Sequence, residues 1–517
     1  MTLQNNPSHS TIIAAIQSQA LAQPDAVALR FHGRTSLTYA GLVVAIQNVK
    51  NEIHTYGLGC QDRIAVVHPN GPELALIVLG ILSCAGCAPL NPKYTATEFE
   101  FYLTDLNVKA VVAQEGLKSP IFAVCERLNI PVIALAASAV DPIGTLHFRS
   151  KGTSVQADTE FIQAQDLALI LHTSGTTSRP KVVPLTQHNL MCSAQNIAST
   201  LRLTPQDSCF NIMPLFHIHG MMAGLLAPLV SGGSVICSPG FAEDPFFVAQ
   251  FYPWMIALKP TWYTAVPTMH QAIITNAPRF PDIATQCPLR FIRSSSASLA
   301  PQVMVSLESI FRAPVLEAYG MTEAAHQMAS NPLPPDVHKP KSVGLAAGPE
   351  VAIMDTDGKI LPVGCTGEIV IRGPNVMRAY ENNEQANATA FYGAWFRTGD
   401  EGVMDQQHYL FLTGRLKEMI NRGGEKLSPR EIDEVLMDHP AVLQAVTFAA
   451  PHPTLGEVPA AAIVLREGFD VDAKTIQMFA ADQLAAFKIP NPIVFVTEIP
   501  KGPTGKLQRI GLAEKLL

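Results

Sequence analysis

The chain has 517 residues, 48% of them apolar and 15% charged, with a net charge of −7. That length exceeds one ordinary core, so two or more domains are expected, with a large buried fraction. The acidic balance gives no reason to expect nucleic-acid binding, and a small anionic ligand would need local positive groups.

No Lys or Arg precedes Arg30, which argues against a secretory leader and an Arg-rich transit peptide. The first strongly apolar run, Leu74 to Ala88, is about 15 residues long, short of the roughly 20 needed to span a bilayer. It contains Gly80 and Gly86 and reads as a buried helix, so no membrane partner is expected. Cys84 and Cys87 form a lone Cys-x-x-Cys in this run and read as core thiols. Nine cysteines without a framework fit a reducing compartment, and Lys515-Leu516-Leu517 is not a peroxisomal address. A cytoplasmic protein is expected.

Further along, Ile64 to Val67, Glu73 to Cys84, Ala110 to Ala113, Leu117 to Leu128 and Val132 to Leu135 alternate strand-like and helix-like runs. That rhythm predicts βαβ units and parallel sheets. A buried strand, Leu167 to Leu171, then runs into Thr173, Ser174, Gly175, Thr176, Thr177, Ser178, Arg179, Pro180 and Lys181. Small residues let backbone N–H groups approach phosphate oxygens, hydroxyls donate to them, and lysine adds a mobile charge. The Walker spacing is absent, and a polar turn between strands is the ordinary alternative.

Phe216 to Gly220 places His217 and His219 at alternate positions, on one side if the segment is a strand. No third and fourth metal ligand is evident nearby, which leaves a polar cleft wall or structural histidines. Arg293 to Ser298 is a hydroxyl-rich run after the strand Leu289 to Ile292, and a loop explains it equally well. Tyr319 to Glu323 reads as the tip of a strand, where an aromatic can stack on a base and a carboxylate can hold Mg²⁺. Val351 to Leu412 is rich in strands and glycine, with turns at Asp357-Gly358 and Gly393. Within it, Arg397 to Asp400 offers a carboxylate at a turn, suited to ribose hydroxyls or simply to a Gly-Asp turn.

Composition changes near Gly414. Ser428-Pro429-Arg430-Glu431 has the form of a helix start, with Ser as N-cap, and the helix should end near His439, before Pro440. The remainder is long enough for a small α+β domain, which puts the boundary at Arg415 to Lys417. Lys501 to Lys506 is a Gly- and Pro-containing loop ending in lysine, by itself an ordinary surface feature.

Taken in order, Thr173–Lys181, Phe216–Gly220, Tyr319–Glu323, Arg397–Asp400, Gly414–Lys417 and Pro500–Lys506 resemble the motifs of the acyl-adenylate-forming superfamily. That superfamily includes acyl-CoA synthetases, 4-coumarate–CoA ligases, peptide-synthetase adenylation domains and luciferases. The resemblance runs from about Ala26 to Arg509. It implies an α/β fold with a large N-terminal domain of layered βαβ sheets plus a β-rich subdomain, residues 1–414. A hinge at 415–417 and a small mobile α+β lid, 418–517, would follow. It also implies ATP, Mg²⁺ and coenzyme A as cofactors and a small carboxylic acid as substrate.

By the same resemblance, Thr173, Ser174, Gly175, Thr176, Thr177 and Lys181 would hold the phosphates. Tyr319 and Ala297 would flank adenine, lined by Glu317, Ala318 and Gly320. Thr322 would touch phosphate, Glu323 would hold Mg²⁺, and Asp400 and Arg415 would hold ribose. Lys417 would be the hinge, Lys506 would bridge the carboxylate and the α-phosphate, and Gly423-Gly424 would face the thiol tunnel. One position departs: the family usually has glycine after the loop lysine, and here it is Val182. A left-handed backbone there would be strained, but Val183-Pro184 predicts an extended strand.

Within the superfamily the chain is most similar to oxalate–CoA ligases, through Leu171–Lys181, Trp262–Thr268, Arg290–Ser294 and Asn421–Lys426. His217, His219, Ser296 and His326 would then face the acyl group, with His217 also placed among the catalytic residues. Histidine and serine suit a short acid with a second carboxylate, whereas a fatty-acyl tunnel calls for small apolar residues.

Overall fold

The computed structural model describes residues 10–136, 140–149, 161–173, 180–241, 245–500 and 508–517. Ser174, Gly175, Thr176, Thr177 and Lys506 fall outside the described residues.

Two mainly parallel sheets carry the first part of the chain. The smaller has six strands in the order Val132–Leu135, Ala110–Gln114, Arg63–Val67, Gly86–Pro89, Leu167–His172 and Val182–Thr186. Its neighbours are parallel except the last pair. The larger has nine strands, with Val315–Met321, Phe291–Ser295, Trp262–Ala265, Ser208–Asn211, Ser234–Cys237 and Val27–Arg30 forming its parallel body.

Between the sheets lie the helices Tyr39–Thr55 and Pro72–Leu82. In the second of these every residue but Glu73 is buried. A helix that is apolar all round must be covered all round, and one core containing residues of both sheets does this. The outer faces are covered separately. Helices Pro245–Leu258, Pro267–Asn276 and Pro301–Phe311 pack on the nine-stranded sheet, and Ala96–Asp105 with Ile121–Leu128 on the six-stranded one. The result is helix–sheet–helix–sheet–helix layering, in line with the expected α/β class. Cys84 and Cys87 are buried and free, as expected of core thiols.

An antiparallel sheet of five strands follows, built from Glu350–Met354, Gly367–Arg372, Phe391–Tyr392, Trp395–Met404 and Leu410–Arg415. The last sheet starts at Ile420 and joins Ile420–Arg422, Glu425–Leu427, Val442–His452, Gly456–Leu465 and Ile493–Phe495 around its own two apolar clusters. The helix Pro429–Met437 begins where the sequence placed it, but Ser428 does not cap it. Its hydroxyl donates instead to the Thr413 carbonyl, across the junction of the two sheets. No helix of the described residues is long and apolar enough to cross a membrane.

Candidate active site

The parallel strands of the large sheet deliver their carboxyl ends to one edge, where ligands of open α/β sheets bind. Val315–Met321 brings Glu317, Ala318, Tyr319 and Gly320 there, and a short 3₁₀ turn adds Thr322 and Glu323. Phe291–Ser295 brings Ser296 and the exposed Ala297.

Asp400 does not sit at a turn, as its sequence suggested. It lies inside the strand Trp395–Met404, with Gly399 at φ +74° reshaping the backbone just before it. Both of its carboxylate oxygens are held. Tyr319 Oη donates to Oδ2 at 2.5 Å, and Arg415 Nε, from the register position directly opposite, donates to Oδ1 at 2.8 Å. Asp400 pushes the Arg415 pKa up, and burial pushes the Tyr319 hydroxyl well up, so both stay donors. This fixes the Tyr319 ring as a rigid wall beside the Asp400 carboxylate.

A second cluster surrounds Glu323. Lys181 and Thr173 clamp the two ends of the loop: Lys181 N–H donates to Thr173 Oγ1 at 3.1 Å, and Thr173 N–H to the Lys181 carbonyl at 2.9 Å. The ammonium of Lys181 rides over the Tyr380 ring, 4.3 Å from its centroid, and Tyr380 Oη donates to Glu323 Oε1 at 2.8 Å. Burial raises the Glu323 pKa, with the Tyr380 hydrogen bond and Lys181 opposing it. Burial lowers the Lys181 pKa, and Lys417 lowers it further. The Lys181 ammonium, beside the Glu323 carboxylate and repelled by Lys417, offers a positive group to a polyanion. Tyr380 was missed by sequence reasoning. It lies 57 residues from Glu323 in sequence, outside every motif, and only the wrap of the chain from Asn375 to Tyr380 over Glu323 brings it close.

Val182 is no defect. It opens the strand Val182–Thr186, pairs with His172, and its carbonyl accepts from the Glu381 N–H at 3.0 Å. Its extended backbone needs no glycine, as Val183-Pro184 had suggested.

The histidines differ from expectation. Phe216–Gly220 is not a strand: His217 is the N-cap of the short helix Ile218–Met221, its Nδ1 accepting from the His219 N–H. The two rings therefore do not share a strand face, because the backbone turns helical between them. His219 is fully buried, with Nδ1 3.0 Å from Ser296 Oγ and Nε2 2.6 Å from Thr264 Oγ1. Its ring stacks on His326 at 4.9 Å. Ser296 and His326 both hold left-handed backbones, φ +77° and +94°, which cost a non-glycine residue about 1–3 kcal/mol each and collect at functional sites. Gly320 makes this possible: a Cβ there would stand 1.7 Å from the His326 carbonyl oxygen. The structure thus brings His219, Ser296 and His326 together and leaves His217, half-exposed, on the approach.

Two predicted groups are exposed. Gly423 and Gly424, at φ +61° and +99°, form the exposed tip of the hairpin joining Ile420–Arg422 to Glu425–Leu427. Lys417 is exposed at the junction of the last two sheets. Glu317 is buried; Leu299 N–H donates to its Oε1 at 2.9 Å, and burial raises its pKa to about 7.

Residues 16–381 match the family model described as AMP-binding enzyme, and residues 431–506 match the AMP-binding enzyme C-terminal domain. The chain belongs to the AMP-binding enzyme family. It is 45% identical over 98% of its length to a probable CoA ligase of Humulus lupulus, covering 97% of that protein. It is 43% identical over 98% of its length to the oxalate–CoA ligase of Arabidopsis thaliana, covering 99% of it. Among solved structures, ATP-bound MatB from Rhodopseudomonas palustris superposes with a TM-score of 0.87 at 28% identity, over 98% of both chains.

An enzyme of this family needs a place for Mg²⁺ beside the nucleotide phosphates. The donor set fits. Mg²⁺ prefers one or two carboxylates and takes the rest of its shell from water and phosphate oxygens. Glu323 offers Oε2 while Tyr380 holds Oε1, Thr322 stands next to it, and Lys181 lies beside both. Among the described residues no cluster of three or more His, Cys, Asp or Glu groups competes as a metal cage.

Proposed function

We propose that this protein activates oxalate with ATP and transfers the acyl group to coenzyme A, releasing AMP and pyrophosphate. The observation that carries the choice of acid is the polar end of the acyl pocket: His219, Ser296 and His326 converge where a fatty-acyl tunnel needs apolar walls. The likeness to the Arabidopsis oxalate–CoA ligase supports the same acid.

A carboxylate does not react with a thiol, because oxide is a poor leaving group. Attack of the carboxylate oxygen on the α-phosphorus forms the acyl–O–P bond, breaks the bond to pyrophosphate and makes AMP the next leaving group. Two anions must meet in that step. Thr173 and Lys181 hold the phosphates, Asp400 and Arg415 the ribose, and Tyr319 the base. Mg²⁺ on Glu323 supplies charge neutralisation at the phosphates. Lys506 bridges the attacking carboxylate and the α-phosphate. The thiol then attacks the acyl carbon, with Lys417 as the hinge about which residues 418–517 turn to bring Gly423-Gly424 to the thiol. The nine free cysteines fit a reducing cytoplasm.

The test is turnover with ATP, Mg²⁺, CoA and a panel of oxalate, malonate, acetate, hexanoate and coumarate. Oxalate is expected to have the highest kcat/KM. Hexanoate or coumarate turned over about tenfold faster than oxalate sinks the reading, since one extra methylene in an apolar pocket is worth 10-fold or more.

A further inference from the structure

Arg293 stands on the strand Phe291–Ser295 and is fully buried. Among the described residues it has neutral partners: Nη1 lies 3.3 Å from His219 Nε2, Nη2 donates to Gln327 Oε1 at 3.3 Å, and Nε has none. Burial lowers its pKa to about 9, so it remains a cation at neutral pH. A buried charge without a counter-charge is one of the costliest arrangements a fold can hold. Here that cost lies directly behind the acyl pocket.

The hydrogen-bond directions follow from the donors. A guanidinium has no lone pair to offer, so His219 Nε2 must accept. The imidazole is then neutral with its hydrogen on Nδ1, and Thr264 Oγ1 donates to Nε2 as well. Nδ1–H donates to Ser296 Oγ, which turns the Ser296 hydroxyl hydrogen toward the pocket. We propose that Arg293 is a specificity-determining positioning residue: through His219 it makes Ser296 a donor to the second carboxylate of a dianionic acid, whose charge it balances. A monocarboxylate brings one negative group, which is consumed at the α-phosphate. A dianion keeps one negative group after adenylation, and only it can offset Arg293. The proposal rests on the reading that the acid binds at His219, Ser296 and His326.

Two measurements test it. In wild-type enzyme labelled with ¹⁵N-histidine, the His219 resonances, identified by their loss in His219→Gln, are expected to report a neutral ring with hydrogen on Nδ1 at pH 7. An Nε2–H tautomer or an imidazolium overturns the proposal, whether or not any Arg293 variant folds. In Arg293→Met, kcat/KM for oxalate is expected to fall roughly 100-fold while acetate and the KM for ATP change less than about threefold. Arg293→Lys should recover part of the oxalate loss. Equal losses for oxalate and acetate indicate a merely structural role and overturn it. A wild-type enzyme that favours malonate removes the oxalate reading alone, and the Arg293 ratio is then read with malonate.

Discussion

Glu317 is a carboxyl group that the fold holds partly protonated near neutrality. Its pKa of about 7 in the folded chain, raised by burial, stands well above its ordinary value. Between those two values the folded state binds more protons than the unfolded one, so stability falls as pH rises through the window and is flat above it. The shift corresponds to roughly 3 kcal/mol. His270 runs the other way: burial lowers its pKa to about 3, so it contributes stability that is lost as pH falls below its unfolded value. In wild type the two slopes partly cancel in mildly acid solution. Glu317→Gln keeps an acceptor for the Leu299 N–H and removes one slope. It is expected to be more stable than wild type at pH 8 and about equal near pH 5, measured by denaturant unfolding at several pH values. A variant destabilised at pH 8 would falsify the assignment.

The strand Val182–Thr186 shows what was legible in sequence at the scale of an element. Alternating apolar runs were enough to predict the parallel sheets, because buried strands and helices must be apolar over fixed lengths. The ends of elements were less legible. Phe216–Gly220 puts both histidines on one side only if it is a strand, and the hydrogen bond of the His219 N–H to His217 Nδ1 starts a helix there. Ser428 looks like an N-cap, yet its hydroxyl is taken by Thr413. In both cases one side-chain bond to a backbone group outweighs the local pattern. Tyr380 lies outside every motif, and Arg293, though inside Arg290–Ser294, takes its meaning from partners distant in sequence. At Val182 the extended backbone argues that glycine, the usual family residue, would add only flexibility and remove a buried side chain. Val182→Gly is expected to lower stability by about 1–3 kcal/mol and to leave adenylate formation within about threefold, read by thermal unfolding and pyrophosphate exchange. A gain in exchange of tenfold or more would mean that valine restrains the phosphate loop.

Among the described residues, the last sheet and its flanking helix meet the rest of the chain through polar contacts. Ser428 Oγ donates to the Thr413 carbonyl, Gln444 Nε2 donates to Gln271 Oε1 at 3.2 Å, and Lys417 faces Lys181 closely enough to lower its pKa. Such a junction suits a part that turns, and in the proposed mechanism phosphates bound at Lys181 would offset its repulsion from Lys417. In the proposed mechanism adenylation and thiol transfer make opposite demands on residues 418–517, since the first would need Lys506 at the α-phosphate and the second Gly423-Gly424 at the thiol. Fixing one arrangement should therefore preserve one half-reaction and abolish the other. Gln271→Cys with Gln444→Cys, joined by a short bis-maleimide, holds the arrangement in which these side chains touch. Pyrophosphate exchange and thioester formation from preformed acyl-adenylate are then measured separately, against the reduced, unlinked protein. One activity is expected to persist and the other to fall at least about tenfold, because a gating motion of this kind commits the enzyme to one step at a time. Retention of both at unlinked rates would show that the two steps share a single arrangement, and the hinge assigned to Lys417 would have no work to do.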